Sequence, residues 1–190
     1  AEHPRSSRAH LLLALGYHKE RRYASAEPLF AEARRLDPSD VAVRLFHGWC
    51  LYNMGRANEA RKTFEAFLES APNHADGHFA IGLLDFDADL LDAATARFEK
   101  AIALASRAGH RVDEAKARTR LADVLVRRNK LPDARRELER AVGLNPNLYG
   151  AYFKLSRVLQ RLGDAEGAER ARKLHKTVRE RVRPTKGHAE

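Results

Sequence analysis

The sequence predicts an all-α chain of five stacked helix-turn-helix repeats. Three observations carry this. Small and bulky residues recur in columns that share one set of spacings. Prolines and residues that tolerate a left-handed backbone fall between the apolar stretches. Hydrophobic residues make up 44% and charged residues 32% of the 190-residue chain, which suits a folded, helix-rich protein.

A small residue inside an apolar stretch recurs at Ala14, Gly48, Gly82, Ala122 and Ser156, at spacings of 34, 34, 40 and 34 residues. Ala26, Ala60, Ala94, Ala134 and Ala168 repeat the same spacings. Phe30, Phe64, Phe98 and Leu138 form a bulky column in step with them. A further alanine column runs through Ala33, Ala101 and Ala141, interrupted by Phe67. Two helices of a hairpin approach to about 8–10 Å. Small residues permit that crossing, and the bulky residue fills the space beside it.

In the first repeat Pro38 closes the second helix, and Ser25 is expected to cap that helix late, because Pro28 sits awkwardly inside it. In the second, Gly55 ends the first helix and Pro72 the second. Asp89 takes the glycine's place in the third, and Asn129 in the fourth. The third repeat has Ser106 instead of proline and six extra residues, so its second helix should run a turn longer and end at Gly109. Asp113 should then cap the next helix. In the fourth, Pro132 falls at a helix start, where its missing N–H costs little, and Pro146 closes the repeat. Gly163 divides the fifth. There Arg172 and His175 replace the bulky and small residues, giving the last helix a polar outer face, as the end of an array needs. Ala168, Ala171, Val178 and Val182 form its inward stripe, and it should reach about Arg183, before Pro184.

These columns resemble the tetratricopeptide repeat, whose period is 34 residues. Ala14, Tyr17, Tyr23, Ala26, Phe30 and Ala33 fall on the family's positions when counted from Pro38. The resemblance implies one array over residues 7–182, with repeats at 7–40, 41–74, 75–114, 115–148 and 149–182 and flexible ends at 1–6 and 184–190. It also implies an α-solenoid, a right-handed superhelix ending in a capping helix, whose first helices line a concave groove that holds a partner.

On those groove positions stand Leu15 in the first repeat, and Leu45, Phe46, Trp49, Tyr52 and Asn53 in the second. Phe79, Leu83 and Phe86 follow in the third. Lys116, Arg120 and Arg127 stand in the fourth, with Lys154 and Arg157 in the fifth. The lining thus passes from apolar and aromatic to basic. Aromatic residues and arginine dominate interface hot spots. The expected partner is a protein or peptide that carries apolar residues at one end and acidic residues at the other. The carboxylate clamp of chaperone-binding family members is matched by Lys116 and Arg120 but not by Leu45, Trp49 and Ala80.

Charge sharpens this. The net charge is +9, with −2 in residues 1–114 and +11 in residues 115–190, so the second part attracts acidic partners. Nucleic acid or an anionic surface is an alternative partner, disfavoured because residues 170–186 lack aromatic residues for base stacking. Self-assembly through the groove or the array ends is a third reading. No catalytic triad, phosphate loop or carboxylate pair is present, so an enzyme is not expected, nor a cofactor. His74 and His78, and the alternating Asp85, Asp87 and Asp89, are read as structural and solvated rather than as metal ligands, since a calcium loop would need glycine where Leu90 stands. A single cysteine, Cys50, excludes an internal disulfide. No run of about 18 apolar residues exists, and Ala1 to Arg8 show no signal peptide, which slightly favours the cytoplasm.

Overall fold

The computed structural model describes residues 6–182. The expected flexible tail at 184–190, and all but Ser6 of the segment 1–6, lie outside the described residues, as do Arg183 and Pro184. Among the described residues there are ten α-helices and no strands. They are α1 (Ser7–Lys19), α2 (Tyr23–Leu36), α3 (Val41–Asn53), α4 (Ala57–Ser70), α5 (Ala75–Asp87), α6 (Leu91–Arg107), α7 (Arg111–Arg127), α8 (Leu131–Leu144), α9 (Tyr149–Arg161) and α10 (Ala165–Val182). The chain divides into two compact halves, Ala1–Leu84 and Asp85–Glu190.

The recurring columns are the core. Phe30, Phe64, Phe98 and Leu138 are fully buried, and so are Ala26, Ala60, Ala94 and Ala134. Full burial of such a bulky side chain contributes about 1.5–3 kcal/mol. Gly48 shows why its column must be small. A Cβ there would lie 2.5 Å from a ring carbon of Phe64.

Within hairpins, a left-handed residue turns the chain. Gly55 (φ 76°), Gly163 (φ 82°), Asp89 (φ 59°) and Asn129 (φ 56°) take the positions expected of them. Arg21 (φ 62°) does the same work between α1 and α2, although a long side chain there costs about 1–2 kcal/mol. The turn residues after each left-handed position return a backbone N–H to the preceding helix, as Arg56 does to Leu51 and Asp164 to Leu159.

Three local expectations are corrected, while the longer second helix of the third repeat, ended by Gly109 (φ 70°), stands as expected. Ser25 does not cap α2. That helix starts at Tyr23 and carries Pro28 in its interior, where one backbone bond is given up and the flanking core holds the helix together. Asp113 does not cap α7 either. The helix starts three residues earlier than that cap would place it, at Arg111, and Asp113 lies in its first turn, paired with Lys116 at 3.0 Å. The six extra residues are therefore shared, since α6 and α7 each reach 17 residues while α3 has 13 and α4 has 14. Val182 is 45% exposed and leaves the inward stripe, which ends at buried Val178.

Candidate partner-binding surfaces

In the first half Trp49 is the hub of the predicted groove residues. It is half-buried on α3 and meets Tyr52 edge-on at 5.8 Å, Phe79 of α5 at 6.2 Å and the buried Phe64 of α4 at 5.3 Å. Three ring contacts thus fix its position while part of the residue stays exposed. Asn53 is exposed, and its amide donates to the carbonyl of Trp49 at 2.7 Å. Phe46 and Leu15 are half-buried against the core formed around Phe30 and Val43. Leu45 and Leu83 are buried, at 8% and 5% exposure, so their role is packing beneath the surface. His18 stands beside Tyr23 at 5.1 Å, and burial lowers its pKa, outweighing a backbone contact with Trp49 that raises it. Burial likewise pushes the Cys50 thiol up to about 11, which keeps it a thiol rather than a nucleophile.

In the second half the predicted cations are mostly engaged. Arg127 lies over the ring of Phe86, 3.9 Å from its centroid, and donates to the Phe86 carbonyl at 3.1 Å and to Asp89 at 2.8 Å. This one guanidinium both covers the aromatic ring and is neutralised. Lys116 pairs with Asp113. Arg120 pairs with Asp123 at 3.3 Å, and Lys154 pairs with the same carboxylate. Arg157 has no carboxylate within 4.0 Å among the described residues and instead leans over Phe153, 5.9 Å from its centroid.

Of these cations only Lys154 and Arg157 border a pocket of about 300 Å³, and Lys116, Arg120 and Arg127 do not line it. Ala122, Val126, Leu138 and Val158 give it an apolar floor, while Asp123, Lys154, Arg157 and Arg161 form a polar rim beside Phe153. The rim is net positive. Sequence reading passes over Phe153, which is 48% exposed. It was legible, since it immediately precedes Lys154 and follows Pro146 by the same count that separates Leu45 from Pro38. By contrast, a buried ion network at α7 and α8 serves packing. Arg118 reaches Glu114 and Glu137, both at 2.7 Å, where an unpaired charge would be costly.

Among the described residues no group of three or more His, Cys, Asp or Glu side chains is placed to hold a metal ion. His78 is buried, with Nε2 2.9 Å from the carbonyl of Pro72. No helix there is long and apolar enough to cross a membrane.

Three comparisons bear on identity. PilW, described as a widely conserved type IV pilus biogenesis factor, shares the fold at a TM-score of 0.80 and 19% identity, over 95% of this chain and 80% of that one. YrrB, a tetratricopeptide repeat protein described as having an unusual peptide-binding site, aligns at a TM-score of 0.61 and 15% identity, over 89% of this chain and 84% of that one. The CTR9 homolog of Arabidopsis thaliana is 30% identical over 69 residues, which are 36% of this chain and only 6% of that much longer protein. Tetratricopeptide repeat family models match residues 17–81 and 119–171, one in each half. The stacked hairpins, their small-residue columns and these two matches agree, and the chain belongs to the tetratricopeptide repeat family.

Proposed function

We propose that this protein is an interaction scaffold that holds a partner peptide or helix against its first helices, binding it without chemical change. Apolar side chains of the partner contact Trp49, Tyr52 and Phe79. Acidic side chains of the partner contact the cationic rim around Arg157. The observation that carries this reading is the pocket of the second half, where an apolar floor meets a net positive rim. Such a mixture suits an acidic residue flanked by an apolar one, because the apolar group drives burial and the charge fixes its register. The ion pairs of Lys154 and Arg120 do not oppose it. Both cations share the one half-buried carboxylate of Asp123, so a partner carboxylate adds a second counter-charge to them. The peptide-binding description of YrrB supports the same reading by likeness of fold.

Trp49 is the only tryptophan, so its emission reports on the first half alone. Peptides that combine apolar and acidic residues should shift that emission saturably. Replacing their acidic residues by glutamine should weaken binding, and Arg157→Glu should do the same from the protein side. Binding that persists with no change in Trp49 emission would sink the aromatic part of the reading. Affinity that vanishes with salt irrespective of peptide sequence would favour an electrostatic anionic-surface binder instead.

A further inference from the structure

The residue just before each member of the small-residue column is Leu13, Ile81, Leu121 and Leu155 in four repeats, and His47 in the second. Three of the four apolar residues are buried there, so this is ordinarily an apolar seat. His47 is 3% exposed, and neither ring nitrogen has a hydrogen-bond partner in the protein. Its ring is fixed by stacking on Phe30, with centroids 6.1 Å apart and planes at 23°. Glu27 Oε1 comes to 3.6 Å from Nε2, beyond hydrogen-bond distance. A buried polar group without a partner costs about 1–3 kcal/mol.

The imidazole lines a cavity of about 360 Å³ bounded by α2, α3 and α4. That is within the range of small-ligand pockets, about 300–1,000 Å³. The charged groups facing it are Glu27 and Arg34 from α2, Arg56 from the turn, and Glu59 and Lys62 from α4. They divide into two sets. Arg56 is neutralised by Glu59, with contacts of 2.7 and 2.6 Å, and by Glu27 at 3.2 Å. Arg34 and Lys62 have no carboxylate within 4.0 Å among the described residues. The cavity lining is thus net +1, and its two cations without an ion pair, Arg34 and Lys62, stand beside a buried ring N–H.

We propose that this cavity is a second binding site, distinct from the partner-binding surfaces, and that it takes a small oxyanion of the phosphate class. The anion accepts a hydrogen bond from the His47 ring and is held by Arg34 and Lys62, while Glu27 and Glu59 keep Arg56 in place. The site stands independently of the peptide-binding reading. Proton linkage follows from its geometry. Burial first, then the nearby charge of Arg34, lowers the His47 pKa in the free protein. A bound anion offsets the cationic neighbours and favours the imidazolium, so binding takes up a proton and tightens as pH falls.

The test follows the His47 ring signals by NMR while inorganic phosphate replaces chloride at constant ionic strength. His47→Leu identifies the resonance by removing it. The expected result is a saturable shift and an imidazole pKa that rises with phosphate. Arg34→Gln and Lys62→Gln, at exposed and fold-tolerant positions, should each weaken the response, and together they should abolish it. No response beyond that of chloride, or an undiminished response in the double variant, would overturn the site. Repeating the titration with O-phosphoserine separates two sources of the same chemistry. A response to both probes indicates a phosphorylated side chain of a partner, and a response to inorganic phosphate alone indicates the free anion.

Discussion

Trp49 and Phe153 both project from the first helix of a hairpin, yet the two halves treat them differently. Trp49 rests edge-on against buried Phe64 and between Tyr52 and Phe79, so its position is set by the core. Phe153 is 48% exposed and is bordered by Arg157 and by His175, 5.5 Å away. The first half thus presents aromatic surface backed by packing, and the second presents aromatic surface backed by charge. A packed surface resists salt and fails when the core is disturbed. A charged surface weakens with salt and tolerates changes in the core beneath it.

The largest expected effect breaks the packed side. In Gly48→Ala the new methyl would meet three Phe64 ring carbons at 2.5–2.9 Å. The clash should cost about 1–3 kcal/mol, outweighing the usual helix gain from alanine. Urea titration gives the loss, and hydrogen exchange should place it in the first half. An unchanged midpoint would mean that Trp49 is not tied to the core through Phe64. The charged side breaks next. Arg157→Glu should lower affinity for an acidic, apolar peptide about tenfold, the scale of roughly 1.4 kcal/mol, while leaving the denaturation midpoint in place. Asp123→Asn sharpens the contrast in the other direction. It frees Lys154 and Arg120 and should raise that affinity a few-fold, with a steeper dependence on salt.

A pH test separates the halves again. His18 and His47, both in the first half, have pKa values lowered chiefly by burial. The unfolded chain then binds more protons than the folded one between those lowered values and the ordinary 6.5. Stability contributed by the neutral rings is therefore fully present above pH 6.5 and is lost as pH falls below it. In phosphate-free buffer, His47→Leu should raise the melting temperature and flatten its acid decline. A decline as steep as that of the parent would assign the effect to other groups. The smallest effect comes from Arg21→Gly, which relieves a left-handed arginine and should add about 0.5–1 kcal/mol after glycine's own entropy cost. It serves as a control that changes neither surface.

The sequence columns made the core legible because each column reports one local distance, the crossing of two helices. Phe30, Phe64, Phe98 and Leu138 are buried as their period requires. The surfaces were less legible. The hold on Arg127 by Phe86 and Asp89 spans 41 and 38 residues, and no periodicity encodes it. Leu45 and Leu83 share the register of exposed Phe153 and Arg157 and yet are buried, a difference that position counting does not resolve. Asp113 was misplaced because an acidic residue suits both a cap and a first turn, and the α7 start depends on where Gly109 turns the chain.

The packing of each helix mainly on its chain neighbours has a consequence in time as well as space. In the first half α1 packs on α2, α2 on α3 and α3 on α4, and in the second half the same holds along α6 to α10. Almost every stabilising contact closes a short loop, so little chain entropy is spent before a contact forms. A ribosome delivering this chain would release one complete hairpin at a time, each able to close before the next emerges. The native protein should open by the reverse route, a hairpin at a time from an end, and a partner lying across several hairpins would act as a splint against that fraying.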